Sequence, residues 1–279
     1  MSETVYLNGE FIHTDEAKIS PNDRGFLFAD GIYEVIKYYN GKSFRYQDHQ
    51  DRLERSLCEI GIHFKNVAEL RAVFGKLLDE NQLANCDAGI YVQITRGTYK
   101  RVHHFPENIN PTVYVYAFEL PSFKENIEKG IKVITHEDIR WLRCDIKSVA
   151  LLPNTMLYNQ AVEQNAGECL LIRNGFVTEA THSSFFGIKN ETLFTHPLSN
   201  LILPGITRKV VFEICQKNNI SVTEQAVSEK ELYDLDELFI TGTGSEITPV
   251  VQVNETVYGN KKPGEITRLI QSEFFKLTH

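Results

Sequence analysis

Cys169-Leu-Leu-Ile-Arg-Asn-Gly-Phe-Val-Thr-Glu179 sets an apolar run on either side of Asn174-Gly175. Both central residues of a two-residue type I′ hairpin need positive φ, which asparagine and glycine tolerate, so the stretch predicts two antiparallel strands closed by a tight turn. The same pair recurs at Asn8-Gly9, between Val-Tyr-Leu and Glu-Phe-Ile, and at Asn40-Gly41, between residues 36–39 and 42–46. Antiparallel sheet is therefore expected in both halves of the chain, with further strands over residues 90–95, 112–118, 131–135, 191–195 and 238–241. Helical spacing of apolar side chains runs through Leu53, Leu57 and Ile60, through Val67, Leu70, Val73, Phe74 and Leu77, and over residues 156–166, 207–217 and 266–277. The predicted fold class is α/β, mixed α and β. Between Glu119 and Gly130 the pattern turns polar and shows neither period over its first half. A small N-terminal domain over residues 1–120, a linker over 121–130 and a second domain over 131–279 follow.

The chain has 279 residues, 42% of them hydrophobic and 24% charged, an ordinary globular balance. Its formal net charge of -8 argues against nucleic-acid and anionic-membrane partners, which need clustered Lys and Arg. The opening Met-Ser-Glu-Thr is not a basic lead into an apolar stretch, and no run approaches the ~18 apolar residues of a membrane helix. A cytoplasmic chain without a membrane segment is expected. Five scattered cysteines without a Cys-x-x-Cys pair suggest neither a disulfide framework nor a metal site.

Several residues have chemical potential, each with a plainer alternative. Lys147 lies in Trp-Leu-Arg-Cys-Asp-Ile-Lys-Ser-Val-Ala-Leu-Leu, whose apolar flanks would draw an ammonium toward a dry, nucleophilic setting. A lysine that snorkels to water is the commoner outcome for such a context. Glu179 ends the hairpin strand and could keep a pyridine nitrogen protonated, or simply be a solvated strand end. Leu-Pro-Gly-Ile-Thr-Arg, residues 203–208, runs into a helical pattern and would present free N–H groups to an anion, or only cap that helix. Thr241-Gly-Thr-Gly-Ser245 is a small, hydroxylated turn after an apolar strand, without the Gly-Lys-Ser/Thr of a P-loop. Arg52 could grip a phosphate bidentately or lie on a helix surface. Arg101 and His103 alternate in Lys-Arg-Val-His-His-Phe-Pro, where they could hold a carboxylate or form a solvated basic loop.

The order of these segments says more than any one of them. Asp-Arg-Gly-Phe-Leu-Phe-Ala-Asp-Gly-Ile-Tyr-Glu-Val (23–35), His-Gln-Asp-Arg-Leu (49–53), Asp-Ile-Arg-Trp-Leu-Arg-Cys-Asp-Ile-Lys-Ser (138–148), Val-Thr-Glu (177–179), residues 203–208 and Thr-Gly-Thr-Gly-Ser-Glu-Ile-Thr-Pro-Val (241–250) together resemble the fold-type IV pyridoxal-phosphate enzymes over nearly the whole chain. Within that family the 140–148 segment and the Thr-Arg-Gly-Thr…Arg-Val-His-His-Phe-Pro-Glu-Asn stretch are similar to bacterial D-amino-acid transaminases. The resemblance implies a smaller N-terminal α/β domain, a larger, β-barrel-like C-terminal α/β domain, and pyridoxal 5′-phosphate as cofactor. It makes Lys147 the Schiff-base lysine and proton-transfer base, and pairs Glu179 with the pyridine nitrogen. Arg52, Ile206, Thr207, Gly242 and Thr243 would surround the phosphate. Tyr33, Arg101 and His103 would trap the substrate carboxylate, the last two reaching in from the other subunit of a homodimer with shared active sites. The implied reaction is ping-pong transfer of an amino group from a D-amino acid to a 2-oxo acid.

The sequence also departs from that pattern. Ala180-Thr-His-Ser-Ser184 stands where relatives tend to run Gly-Ser-Ser-Ser-Asn, Gly242 where several carry serine, and Pro153 where glycine is expected. One phosphate hydroxyl fewer is implied. Branched-chain L-aminotransferase, R-selective amine transaminase and aminodeoxychorismate lyase are the alternatives on the same scaffold. A non-catalytic ligand-binding protein is the alternative of another class.

Overall fold

The computed structural model describes residues 3–121 and 123–278. Two compact units divide them: residues 3–121 with 146–150, and residues 123–145 with 151–278. The five residues around Lys147 thus count with the first unit, although they follow the segment that opens the second.

In the first unit, β1 (Thr4–Leu7) and β2 (Glu10–His13) form a hairpin, then α1 (Arg24–Phe28), β3 (Gly31–Tyr39), β4 (Lys42–Ser43), α2 (Tyr46–Glu59), α3 (Leu70–Glu80), β5 (Ala88–Thr95) and β6 (Thr112–Glu119) follow. The strands make one antiparallel sheet in the order β2-β1-β6-β5-β3-β4. Alternation sends Ile32, Ile36, Ile90, Ile94 and Val115 to one face, where Leu53 and Leu57 of α2 and Phe74 and Leu77 of α3 cover them. Fully burying a side chain of this size stabilises by ~1.5–3 kcal/mol, which is why the helices' apolar stripes decide where they sit. The opposite face carries stacked aromatics instead: Tyr33 on Tyr91 at 5.6 Å between centroids and Tyr91 on Tyr116 at 5.0 Å. Residues 146–150 run along β3, with Tyr33 N donating to Lys147 O, Val149 N to Gly31 O, and Ser148 bridged to Ile32.

The second unit begins with α4 (Lys124–Lys129) and β7 (Ile131–Glu137). The later part of the stretch expected as a linker thus folds as α4. Ile127 is buried and fixes one face of α4, whereas Ser122 lies outside the described residues. Then come α5 (Leu152–Glu163), β8 (Glu168–Arg173), β9 (Phe176–Ala180), β10 (Ser184–Lys189), β11 (Thr192–Thr195), α6 (Ile206–Lys217), β12 (Ser221–Glu224), α7 (Glu229–Leu232), β13 (Glu237–Gly242), β14 (Glu246–Val253), β15 (Thr256–Val257) and α8 (Glu265–Thr278). The sheet runs β12-β11-β10-β13-β14-β7-β8-β9, with β15 beside β14, and mixes parallel with antiparallel pairs. β12 and β9 remain edges among the described residues, so the barrel-like sheet is a half-barrel and not a closed one. Leu170, Phe185, Ile240 and Val250 pack on one face. On the other, Leu157 and Ala161 of α5 meet Cys169 and Leu171, and Phe212 of α6 meets Phe186, which stacks on Phe239. Both faces being covered, the central strands are buried almost end to end, which accounts for unbroken runs such as Cys169 to Ile172.

All three Asn-Gly turns are two-residue hairpin turns with φ of 51° and 107°, 46° and 77°, and 53° and 81°. A fourth, at Asn190-Glu191 between β10 and β11, carries no glycine and so gave no such signal. The strand expected over residues 42–46 ends at Ser43, because Tyr46 opens α2.

Candidate active site

In the first unit the sheet's tyrosine face and the 146–150 segment bring Lys147 and Tyr33 together. The Lys147 ammonium lies 4.3 Å from the Tyr33 ring centroid, a cation–π contact. Lys147 is half-buried between the buried Ile146 and Ser148, and its backbone is held by Tyr33 on one side and by Ser56 Oγ, 3.4 Å from Lys147 N, on the other. Neighbours that fix the backbone leave the side chain to be aimed by the aromatic ring.

Arg52 of α2 is buried, and its guanidinium meets a carboxylate. Arg52 Nε donates to Glu34 Oε1 at 2.6 Å and Nη2 to Oε2 at 3.0 Å, while His49 Nδ1 donates to Glu34 Oε2 at 2.8 Å. Burial opposes the charge on Glu34, but Arg52 and His49 outweigh it and hold the carboxyl well below the usual range. Burial also keeps His49 below its ordinary value, so the imidazole is neutral near pH 7 and donates from Nδ1. The result is an arginine held rigidly by a buried acid. Glu34 and His49 escaped the sequence reading. Their available signal was Glu34 itself, an acid between Ile32 and Ile36 on the core-facing side of β3.

In the second unit Glu179 is the penultimate residue of β9 and is buried. Arg140 Nη1 donates to its Oε1 at 2.5 Å, and the Leu203 N–H lies 3.2 and 3.1 Å from its two oxygens. Burial raises the Glu179 carboxyl above its usual range, with Arg140 and Leu203 pulling the other way. Arg140 is itself clamped by Asp138, through Nε at 2.9 Å and Nη2 at 2.9 Å, and Arg173 joins the same carboxylate. Burial opposes the charges here too, but the arginines hold Asp138 down to about 2. The solvated strand end is thereby excluded for Glu179: it is a buried acid oriented by a chain of three charged partners.

The two turns expected around a phosphate meet at one place in this unit. Gly205 precedes α6 without a side-chain cap, leaving the first-turn N–H groups of buried Ile206 and Thr207 as donors. A Cβ on Gly205 would lie 2.7 Å from Ser184 Oγ, and Ser184 pairs across the sheet with Thr241, one residue before Gly242 and Thr243. Thr241 Oγ1 is buried with no hydrogen-bond partner, on the face that Ser184 shares. Buried hydroxyls normally find partners, so an orphan beside an open helix N-terminus fits an anion ligand.

Arg101 and His103 stand elsewhere. Both are exposed and gather around Phe28, the guanidinium 5.1 Å from its ring centroid and the imidazole 5.6 Å. Among the described residues no hydrogen bond, ion pair or ring contact joins them to Tyr33. The root of their loop is firm: Arg24 and Arg96 share Asp30, Arg24 Nη1 donates to Val102 O at 2.6 Å, and Arg96 stacks on Phe105. No helix among the described residues is long and apolar enough to cross a membrane.

The fold is mixed α/β, and the chain belongs to the class IV amino-transferase family, whose model matches residues 31–253. It is 40% identical over 269 residues to a D-alanine aminotransferase of Bacillus licheniformis, covering 96% of this chain and 94% of that protein. It is 42% identical over 274 residues to a D-alanine aminotransferase of Staphylococcus haemolyticus, covering 98% and 96%. Among solved structures, the branched-chain amino acid aminotransferase of Escherichia coli superposes with a TM-score of 0.94 at 26% identity, covering 100% of this chain and 95% of that one.

Class IV aminotransferases depend on pyridoxal phosphate. Taken unit by unit, the residues have the chemistry that group needs: the first unit has a half-buried lysine amine suited to its aldehyde, and the second has a buried acid suited to its ring nitrogen and, among the described residues, an orphan hydroxyl beside uncapped helix N–H groups suited to its phosphate.

Proposed function

We propose that this chain is a D-amino-acid aminotransferase that moves the amino group of a D-amino acid to a 2-oxo acid by a ping-pong route. The observation that carries the proposal is the 40–42% identity, over at least 96% of the chain, to D-alanine aminotransferases of two genera. Pyridoxal phosphate, when bound, supplies the electron sink on which the substrate's α-carbon becomes acidic.

With the cofactor bound, Lys147 Nζ would be the amine that holds its aldehyde and the base that moves the substrate's α-proton. A single base reaches a single face, so the side on which the carboxylate is held selects D or L. Glu179, held by Arg140 and Leu203 N, would keep the pyridine nitrogen protonated. Arg52, Ile206, Thr207, Gly242 and Thr243 would hold the phosphate, with the Glu34 and His49 clamp fixing the direction of Arg52. Tyr33 borders the amine. Arg101 and His103, exposed on a braced loop and unjoined to their own Tyr33, hold the substrate carboxylate in the site of a second copy, which makes the working unit a homodimer. The compartment we assign is the cytoplasm.

Borohydride treatment of the loaded protein followed by peptide mapping tests the lysine assignment: the label is expected on Lys147, and a label on another lysine contradicts it. Branched-chain L-aminotransfer is the second candidate, favoured by the structural likeness to the Escherichia coli enzyme, and L-leucine turnover distinguishes it.

A further inference from the structure

The turn between β9 and β10, Thr181-His182-Ser183, is held more firmly than the chemistry assigned above requires. Glu168, wholly buried in β8, accepts from Thr181 Oγ1, from the N–H of Cys169 at 2.8 Å and from that of Thr181 at 3.3 Å, and pairs with His182 Nδ1 at 2.9 Å. Asn154 Nδ2 donates to Thr181 O, and Tyr158 packs edge-on against the His182 ring. Residue 183 follows directly, so its hydroxyl is delivered to a fixed place.

That place is Gly242. A Cβ built on Gly242 would lie 2.8 Å from Ser245 Oγ and 3.5 Å from Ser183 Oγ, and the two hydroxyls are 3.4 Å apart. Ser245 is carried there by the turn from Gly242 to Glu246, which closes the β13–β14 hairpin, and its carbonyl is fixed by Thr248 Oγ1 at 2.7 Å. The space a side chain at position 242 would occupy is thus already taken by the Ser245 hydroxyl, with the Ser183 hydroxyl in van der Waals contact beside it. Ser183 is buried and Ser245 half-buried, so neither is a freely solvated surface group.

We infer that Ser245, supported by Ser183, donates the hydroxyl hydrogen bond to the cofactor phosphate that Gly242 lacks the side chain to make. This rests on the assignment of the phosphate to the 205–207 and 242–243 turns. A hydroxyl bonded to a charged oxygen contributes more than a neutral pair, and its loss corresponds to roughly a tenfold change in affinity. Glycine at 242 follows from the same geometry: any side chain there would displace Ser245 Oγ.

The test is the dissociation constant of pyridoxal phosphate for the apo protein, followed by tyrosine and tryptophan fluorescence quenching, with phosphate-free pyridoxal as the second probe. Ser245→Ala is expected to weaken pyridoxal phosphate about tenfold and leave pyridoxal unchanged. Gly242→Ala is expected to weaken it comparably, and adding Gly242→Ser to Ser245→Ala to restore most of the loss, since the vacated volume then accepts a hydroxyl. Thr207→Ala reports on the phosphate assignment itself. If Thr207→Ala weakens pyridoxal phosphate selectively while Ser245→Ala and the Ser183→Ala/Ser245→Ala pair do not, the hydroxyl inference is overturned and the phosphate assignment stands. If Thr207→Ala also leaves the ratio between the two probes unchanged, the phosphate assignment fails and the inference falls with it.

Discussion

Replacing Glu34 with alanine removes the acceptor of three hydrogen bonds at once and takes the carboxylate away from the buried Arg52 guanidinium. Glu34 and Arg52 expose about 1% and 6% of their side chains, so solvent screens the pair little. Breaking a buried ion pair from one side costs about 3–5 kcal/mol, most of it the penalty of the unpaired charge left behind. Glu34→Ala should therefore lower the unfolding free energy of the apo protein, measured in urea, by about that amount. Removing the Arg52 charge as well should recover part of it, making Glu34→Leu/Arg52→Met more stable than Glu34→Leu alone. Glu34→Gln keeps shape without charge and separates positioning from stability: it should weaken pyridoxal phosphate more than phosphate-free pyridoxal, because a misdirected Arg52 fails only the phosphate. A loss under ~1 kcal/mol for Glu34→Ala, the level of an exposed pair, would refute the buried clamp. So would an equal loss of both cofactor forms in Glu34→Gln.

Asp138 makes stability depend on acid. Its folded value near 2 lies below an ordinary value of 3.8, so the stabilisation is complete above about pH 4 and is lost as pH falls toward 2. The difference corresponds to about 2 kcal/mol, and Asp138→Asn should flatten that part of the stability–pH curve; an unchanged slope would contradict the pairing with Arg140 and Arg173. Arg101→Ala should raise the KM for D-amino acids tenfold or more while sparing cofactor affinity and fold, since a charged hydrogen bond is worth ~1.5–3 kcal/mol. Equal losses with amine substrates that lack a carboxylate would remove Arg101 from that role. At D-amino-acid concentrations too low for Arg101→Ala to turn over appreciably, mixing it with inactive Lys147→Ala should regain activity if each site draws its lysine from one copy and its arginine from the other; no recovery in a demonstrated heterodimer would place both residues in one subunit.

What the sequence disclosed follows from how far each signal reaches along the chain. The Asn-Gly hairpins were legible because positive φ is a demand on two adjacent residues, and Asn190-Glu191 was missed because its turn meets that demand without glycine. Lys147 and Glu179 became readable only through the order of the segments around them, since burial is set by packing and not by neighbours in sequence. Glu34, His49, Asp138 and Arg140 were unassigned for the same reason: their partners lie 2 to 39 residues away, and only the folded strands bring them together. The polar stretch before Gly130 read as a linker, but Ile127 alone is enough to dock a short helix there.

The central claim is the handedness of the amino donor. Supplied with pyridoxal phosphate and 2-oxoglutarate, the purified protein should form pyruvate and D-glutamate from D-alanine at a rate at least a hundredfold, about 3 kcal/mol of transition-state discrimination, above any product from L-alanine or L-leucine. Turnover of the L-amino acids alone would contradict it.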